Sequence, residues 1–312
     1  MGFDRPQTLQ SPTGALLSYF CQPAEGRVRG VVQILHGLAE HSGRYDRFAH
    51  FLAGRGFHVY AHDHRGHGHT RAPDAPFTVF AAKGGADRVL ADVAAIRNVI
   101  VHERPNLPVI LFGHSLGGLI ALNCLQAFPK HVDAAAVWNA PIPSPSAARL
   151  AGLALAWETF RHGSDVPSRL MRRATFGAWS RAIPDARTPF DWLSRDPHEV
   201  DDYIADPLCG WDPSVSMWRD VFELGRRARE AARYAPVRKG TAIHLAGGGA
   251  DPVTRNGKDV ENLAAMLRRF EFNDVTVAID PQARHETLND TDRDRMMREF
   301  AEWADRHIRA AT

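Results

Sequence analysis

The sequence of 312 residues is poor in cysteine and has no long apolar run. Its three cysteines, Cys21, Cys124 and Cys209, are far apart and odd in number, which excludes a disulfide framework and a cysteine-based metal site. No stretch reaches the roughly 20 apolar residues that cross a bilayer, and the polar N-terminal segment lacks the apolar core of a signal peptide. We therefore expect a reducing compartment, the cytoplasm.

An excess of charge of one sign is also missing. The 38 lysines and arginines against 36 acidic residues leave a formal net charge of +2, whereas a nucleic-acid-binding domain normally concentrates basic residues. We expect no nucleic-acid partner. Nearly all the basic residues are arginine, which codon bias in a GC-rich genome explains. An arginine patch for anionic substrates is the alternative, but the arginines are spread along the chain.

Short β-branched runs alternate with helical patterns over residues 1–140. The predicted strands are 31–35, 58–61, 109–112 and 134–138, and the predicted helices are 88–102 and 116–127. The alternation resumes after residue 234, with strands at 242–246 and 275–279 and helices at 260–270 and 292–307. It predicts an α/β fold with a mostly parallel sheet, because parallel neighbours need a crossover that covers the sheet faces.

The alternation is interrupted between its two halves. Pro141, Pro143 and Pro145 prevent a continuing central strand or helix. The segment that follows has helical and irregular patterns and holds five of the seven tryptophans, namely Trp157, Trp179, Trp192, Trp211 and Trp218. We expect one core made of residues 1–140 and 235–312, with residues 141–234 inserted as a helical unit.

The strongest chemical signal is a Gly-x-Ser-x-Gly run at residues 113–117, between a predicted strand and a predicted helix. This is the context of a nucleophile elbow. Gly113 and Gly117 are required there because the turn strains the serine, and any flanking side chain would collide with the neighbouring strand or helix. The motif predicts that Ser115 is a nucleophile.

A serine hydroxyl needs a histidine to take its proton and a carboxylate to orient that histidine. His285 lies after the last predicted strand and before the last helix, where a loop reaches the elbow. The alternative to a catalytic role is that His285, like any one histidine of the chain, simply lies at the protein surface. Asp251, in a glycine-rich loop after strand 242–246, is the predicted acid, with Asp280 and Glu286 as rivals. The order Ser115, Asp251, His285 matches that of α/β hydrolases.

Acyl transfer also needs donors for the oxyanion, and backbone amides serve best. We predict the amide of Leu116, which follows the nucleophile, and that of Leu38, in the loop after the first core strand. The alternative for the His-Gly pair before Leu38 is a plain strand-to-loop turn. Gly37, His114 and Trp157 are predicted to contact the substrate.

Four runs carry a family resemblance: His-Gly-Leu-Ala-Glu-His-Ser-Gly-Arg-Tyr at 36–45, Asp-His-Arg-Gly-His-Gly at 63–68, Gly-His-Ser-Leu-Gly-Gly at 113–118 and Arg-His-Glu at 284–286. Together they resemble the monoacylglycerol lipase and lysophospholipase branch of the α/β hydrolases. Asp-Pro-Leu at 206–208 is similar to the cap of that branch, whereas Ala39 stands where a glycine is common. The resemblance implies the α/β-hydrolase fold and a lipase or esterase with a helical cap over an acyl pocket.

Two further groups of residues have competing interpretations. The histidines at 58, 62, 64, 67 and 69 could suggest zinc, but those at 62, 64, 67 and 69 lie in a tight loop without cysteine or a helical i, i+4 pair, so we predict a structural role and no metal. Leu150, Leu153, Ala154 and Trp157 recur at helical spacing, and this stripe either packs inside the insertion or meets a lipid surface.

Together these features predict a serine hydrolase of carboxylic esters, with monoacylglycerol or lysophospholipid as substrate and no cofactor. A small-ester carboxylesterase, a thioesterase and a peptidase on the same fold are alternatives. A non-catalytic ligand-binding protein of this fold is an alternative of another class. We expect a small acyl ester as partner and peripheral membrane contact through the cap; the oligomeric state is left open.

Overall fold

The computed structural model describes Phe3 and residues 5–308. Its centre is one eight-stranded sheet in the order β1-β2-β4-β3-β5-β6-β7-β8. The strands are β1 (Gln7–Gln10), β2 (Leu16–Gln22), β3 (Gly30–Leu35), β4 (Phe57–His62), β5 (Val109–His114), β6 (Ala134–Trp138), β7 (Ala242–Gly248) and β8 (Val275–Asp280). All pairs from β4 to β8 are parallel, which confirms the predicted α/β class with a mostly parallel sheet.

The sequence pattern missed the first two strands. β1 and β2 pair antiparallel with each other, and β2 pairs antiparallel with β4. An antiparallel pair needs no crossover helix. These strands therefore lie outside the strand-helix alternation from which the other six were predicted.

Five helices belong to the two segments of the sheet: α1 (Asp46–Ala53), α2 (Gly85–Glu103), α3 (Leu116–Ala127), α9 (Lys258–Arg269) and α10 (Arg293–His307). Successive side chains of a strand point to opposite faces, so each strand serves two cores. Leu111 of β5 packs with α2, α3 and α9, whereas its neighbour Phe112 packs with Phe48 of α1 and Phe300 of α10. The central strands are thus covered on both faces, and their carboxyl ends meet at one edge.

Five more helices lie between β6 and β7 in the chain: α4 (Pro145–His162), α5 (Arg169–Ala174), α6 (Phe176–Arg181), α7 (Pro197–Ala205) and α8 (Val215–Ala228). Ser144 caps α4 and Ser214 caps α8, each accepting a hydrogen bond from a first-turn amide. Asp220 of α8 accepts a hydrogen bond from the Ala86 amide at the start of α2. Among the described residues, no helix is long and apolar enough to span a membrane.

Candidate active site

Ser115 occupies the sharp turn between β5 and α3, with φ 54° and ψ −116°. A Cβ atom on Gly113 would lie 2.1 Å from the Gly117 carbonyl oxygen, and one on Gly117 would lie 2.0 Å from the Leu35 carbonyl oxygen. No side chain fits at either position. The glycines therefore allow a strained serine backbone that projects the hydroxyl above the carboxyl edge of the sheet.

The three predicted triad residues meet at this edge. His285, in the loop after β8, places Nε2 3.0 Å from Ser115 Oγ. Its Nδ1 lies 2.9 Å from Oδ2 of Asp251, in the loop after β7. Asp251 is fully buried and His285 nearly so. This arrangement allows His285 to accept the serine proton while Asp251 holds the ring.

Asp251 is held ionised by its neighbours. Oδ2 accepts hydrogen bonds from Thr254 Oγ1 at 2.7 Å and from Asn139 Nδ2 at 3.2 Å, and Oδ1 accepts one from the Val253 amide at 2.9 Å. Burial alone would raise the pKa of Asp251, but the charge and hydrogen bond of His285, with those of Thr254 and Asn139, lower it below the ordinary value. No motif in the sequence marks Thr254, three residues after Asp251, or Asn139, which directly follows β6 and is 112 residues from Asp251.

The rival carboxylates are engaged elsewhere. Asp280 accepts hydrogen bonds from the Gln282 and Ala283 amides and lies 2.5 Å from a guanidinium nitrogen of Arg295. Glu286 binds both guanidinium nitrogens of Arg44 at 2.5 and 2.7 Å. Both side chains are thereby directed away from the His285 ring.

The predicted oxyanion donors line one pocket together with Ser115. Within the described part of the chain, the backbone amides of Leu38 and Leu116 donate to no protein acceptor. The Gly37 amide donates to Glu40 at 2.5 Å, which fixes the start of the loop. Ala39 has φ 58°, the left-handed region that favours glycine, which explains why a glycine is common there in the resembled branch.

A buried cluster of charged side chains contacts this loop. Arg44 lies 2.9 Å from Glu40 and makes the paired contact to Glu286, next to His285. His114 Nε2 lies 3.0 Å from the His285 carbonyl oxygen and its Nδ1 faces Glu40 at 3.4 Å. Burial lowers the pKa of His114, but the hydrogen bond and charge of Glu40 outweigh it and raise that pKa above the ordinary value. His114 can thus donate to the His285 carbonyl.

The pocket over Ser115 has a volume of about 50 Å³ and a largely apolar lining. Five aromatic side chains of the inserted segment form its roof: Phe176, Trp179, Trp192, Tyr203 and Trp218. The predicted residues Gly37 and His114 also line it. The tryptophan-rich composition of residues 141–234 was the available signal for the roof, but it did not distinguish one tryptophan from another.

The prediction of Trp157 as a substrate contact is wrong for this pocket. Its side chain is 54% exposed and lies on the outer face of α4, outside the pocket lining. The buried face of α4 consists of Ala151, Leu155 and Glu158. That face packs against α8, so the stripe containing Trp157 points away from Ser115.

His36 packs beneath the site with three of the histidines singled out from the sequence, His62, His64 and His67. His36 and His64 have ring centroids 4.1 Å apart, and the His64 amide donates to His36 Nε2 at 2.9 Å. Burial lowers the pKa of His62 to about 4 and that of His67 to about 3. These rings are therefore neutral at physiological pH.

The described residues bring one other group of candidate metal ligands close together: His41, Asp206 and Cys209. His41 Nε2 already lies 2.8 Å from Asp206, which links the loop after β3 to the inserted segment. The Cys209 thiol is a poor ligand here, because burial raises its pKa and disfavours the thiolate.

Comparison with known proteins identifies the family. Residues 26–292 match the family model described as Hydrolase_4, serine aminopeptidase, S33. The chain belongs to this family. Among curated Hydrolase_4-like relatives, the monoacylglycerol lipase of Mycolicibacterium smegmatis is 28% identical over 284 residues, covering 90% of this chain and 89% of that protein. The monoglyceride lipase of Mus musculus is 29% identical over 210 residues, covering 66% of this chain and 60% of that protein.

Solved structures agree with this Hydrolase_4 assignment. The monoacylglycerol lipase of Paleococcus ferrophilus has a TM-score of 0.71 at 26% identity, covering 93% of this chain and 99% of that one. A carboxyl esterase of Bacillus coagulans has a TM-score of 0.85 at 24% identity, covering 97% and 98%, and shows likeness of fold. The predicted membership in the monoacylglycerol-lipase-like branch of the α/β hydrolases, and with it the class of ester hydrolase, is confirmed.

Proposed function

We propose that this Hydrolase_4 protein cleaves carboxylic esters through an acyl-enzyme formed on Ser115. The observation that supports this most directly is the pair of hydrogen bonds, 3.0 and 2.9 Å long, that joins Ser115 to His285 and His285 to Asp251. Ser115 Oγ attacks the ester carbonyl carbon while His285 Nε2 takes the hydroxyl proton. The amides of Leu38 and Leu116 stabilise the oxyanion.

Collapse of this tetrahedral intermediate breaks the bond to the alcohol oxygen, and His285 gives its proton to the departing alcohol. Water then attacks the acyl-enzyme, with His285 again accepting a proton. The second collapse breaks the bond between the acyl carbon and Ser115 Oγ, which takes the proton back from His285, and releases the carboxylic acid. Asp251 holds one ring tautomer and stabilises the imidazolium in both halves of the reaction.

We propose a glycerol ester of a fatty acid, of the monoacylglycerol or lysophospholipid type, as the substrate. Two observations favour a substrate with an acyl chain: the pocket has an apolar aromatic roof, and the similar proteins include one named monoacylglycerol lipase. Ligand pockets usually measure about 300 Å³ or more, so a cavity of about 50 Å³ admits a long chain only if the roof moves. We therefore treat residues 141–234 as a movable cap on a core of residues 1–140 and 235–312.

A second part of the proposal concerns membranes. Four large apolar side chains of α4 are exposed: Leu150 at 71%, Leu153 at 72%, Trp157 at 54% and Phe160 at 85%. They follow one another at helical spacing on the face opposite to Ala151 and Leu155. This stripe supports peripheral contact of the cap with a lipid surface, from which an acyl ester could enter the pocket.

A fluorophosphonate probe tests the catalytic proposal. We expect labelling of Ser115 that is strongly reduced in His285→Ala and abolished in Ser115→Ala. Absence of labelling in the unaltered protein would favour the non-catalytic alternative. An ester, a thioester and an amide of the same acyl group then separate the esterase from thioesterase and peptidase activities, and esters of increasing chain length separate a lipid substrate from a small ester.

A further inference from the structure

The cap carries an open groove of about 600 Å³ beside the roof of the catalytic pocket. Its walls come from the short helices α5 and α6 and from the loops around residues 189–190 and 210–212. Four arginines line it: Arg169, Arg172, Arg173 and Arg181. These four arginines lie within 13 consecutive residues of the chain.

The charge of this groove is largely uncompensated. Asp212 is its one acidic lining residue, and Asp212 lies 2.9 Å from Arg172. Among the described residues, Arg169, Arg173 and Arg181 form no ion pair. Arg226 and Arg227 of α8, by contrast, each contact Glu223. Arg181 donates one long hydrogen bond, of 3.4 Å, to the Arg173 carbonyl oxygen. Within the described part of the chain, the groove therefore holds three guanidinium groups without an acidic partner.

The groove also adjoins the catalytic centre. Phe176 lines both the groove and the pocket that contains Ser115. Its ring stacks on Trp192 with centroids 6.0 Å apart, and Trp192 in turn packs on the His285 ring at 5.4 Å. A ligand spanning the Phe176 wall could place one end at the nucleophile and the other among the arginines.

We infer that this groove binds the phosphate group of an acyl ester whose carbonyl is presented to Ser115. Guanidinium groups bind phosphate oxygens through paired, charge-assisted hydrogen bonds. The positive charge of the three arginines is complementary to the negative charge of a phosphomonoester. The inference rests on the proposed ester hydrolysis and narrows its substrate to an acylglycerol phosphate. An uncharged acylglycerol would use the same pocket without engaging the groove.

The test compares two substrates with the same acyl chain, an acylglycerol phosphate and the uncharged acylglycerol, in the same neutral detergent micelles. The variant Arg169→Gln/Arg173→Gln/Arg181→Gln should raise KM for the phosphate substrate by roughly tenfold or more, since each lost charge-assisted contact is costly. It should change hydrolysis of the acylglycerol less than about twofold. The matched control Arg238→Gln/Arg269→Gln/Arg298→Gln removes three exposed arginines outside the groove and should change neither.

Three results would overturn the inference. The first is hydrolysis of the acylglycerol but not of the acylglycerol phosphate by the unaltered protein. The second is equal impairment, or no impairment, of both substrates in the groove variant. The third is loss of binding to phosphatidylglycerol vesicles in that variant with unchanged micellar kinetics, which would assign the arginines to membrane headgroups. Absence of both hydrolysis and fluorophosphonate labelling would instead reject the proposed function itself.

Discussion

The Tyr203 hydroxyl donates a 2.9 Å hydrogen bond to the carbonyl oxygen of Ala39, joining helix α7 of the inserted segment to the loop that carries the Leu38 amide. The Gly210 amide donates to the same oxygen at 3.0 Å. Ala39 needs such support because its φ of 58° is unfavourable for an alanine. The inserted segment therefore contributes to the geometry of the proposed oxyanion hole as well as to the pocket roof.

Tyr203→Phe should lower kcat by roughly tenfold with little change in KM, because a less restrained Leu38 amide is a poorer donor to the transition state. The matched control is Tyr234→Phe, since the buried Tyr234 hydroxyl likewise donates at 2.9 Å to a backbone carbonyl, that of Ala228. Each variant should lose about 1 kcal/mol of unfolding free energy in urea. Equal kcat values in the two variants would contradict a positioning role for Tyr203.

Asp251→Asn should lower kcat by about 10⁴, because an asparagine at this position favours the wrong tautomer of His285. Asp280→Asn is the control, since Asp280 contacts Arg295 and two loop amides rather than the His285 ring. Steady-state hydrolysis of a soluble ester, with Ser115 labelling as a second readout, measures both variants. Near-normal turnover in Asp251→Asn would remove that residue from the mechanism.

The buried histidines should make the folded state sensitive to acid. The ordinary pKa of a histidine is about 6.5, whereas burial lowers that of His62 to about 4 and that of His67 to about 3 and also lowers those of His36 and His64. Between pH 6.5 and 4 the unfolded chain therefore binds protons that the folded chain does not. The free energy of unfolding must decrease as the pH is lowered through this range, by about 1.4 kcal/mol per pH unit for each of His62 and His67.

Urea unfolding at pH 7.5, 6.5 and 5.5 checks this sign and slope. His62→Asn should reduce the slope below pH 6.5 by about one histidine's share, whatever it costs in packing. His198→Asn, at an exposed position, is the control. Asp63 lies in the same loop. Burial raises its pKa, but the charge of His36 and hydrogen bonds from His69 and Ser42 lower that pKa below the ordinary value. The contribution of the Asp63 carboxylate to stability is therefore lost only at more acidic pH. An unchanged slope in His62→Asn would contradict the assignment.

The exposed stripe of α4 should govern binding to uncharged membranes. Leu153→Ser/Phe160→Ser removes two of its most exposed side chains and should reduce sedimentation with phosphatidylcholine vesicles at least about fivefold, because burial of each contributes roughly 2 kcal/mol. Hydrolysis of a soluble short-chain ester should not change. Val101→Ser/Val277→Ser, at partly exposed positions of α2 and β8, is the matched control. Equal sedimentation of both variants would reject membrane contact through α4.

Local sequence was sufficient for the elbow and for the positions of the six parallel strands along the chain. Gly113 and Gly117 are necessary because backbone atoms lie too close for any Cβ, so the motif itself carries the geometry of Ser115. β1 and β2 could not be obtained in this way, since antiparallel pairing leaves no helical crossover in the pattern. The aromatic roof was visible only as an excess of tryptophan.

Neither the exposed face of helix α4 nor the arginine groove could be predicted from the sequence pattern alone. Helical spacing placed Leu150, Leu153 and Trp157 on one face of a helix, but only packing against α8 decided that this face points outward. The spread of arginines over the whole sequence argued against a patch, but the four between residues 169 and 181 line one groove formed by α5 and α6. Spacing along a helix gives relative directions, and a neighbouring element is needed to say which direction is inside.

The sequence alone determined the α/β class, the strained serine turn and the set of residues from which a triad could be built, because each depends on the spacing of residues within one element or one connection. The tertiary structure decided which carboxylate faces His285, which tryptophans cover Ser115 and how Tyr203 supports Ala39. These are contacts between segments far apart in the chain, and their partners are chosen by the packing of the whole fold rather than by local propensity.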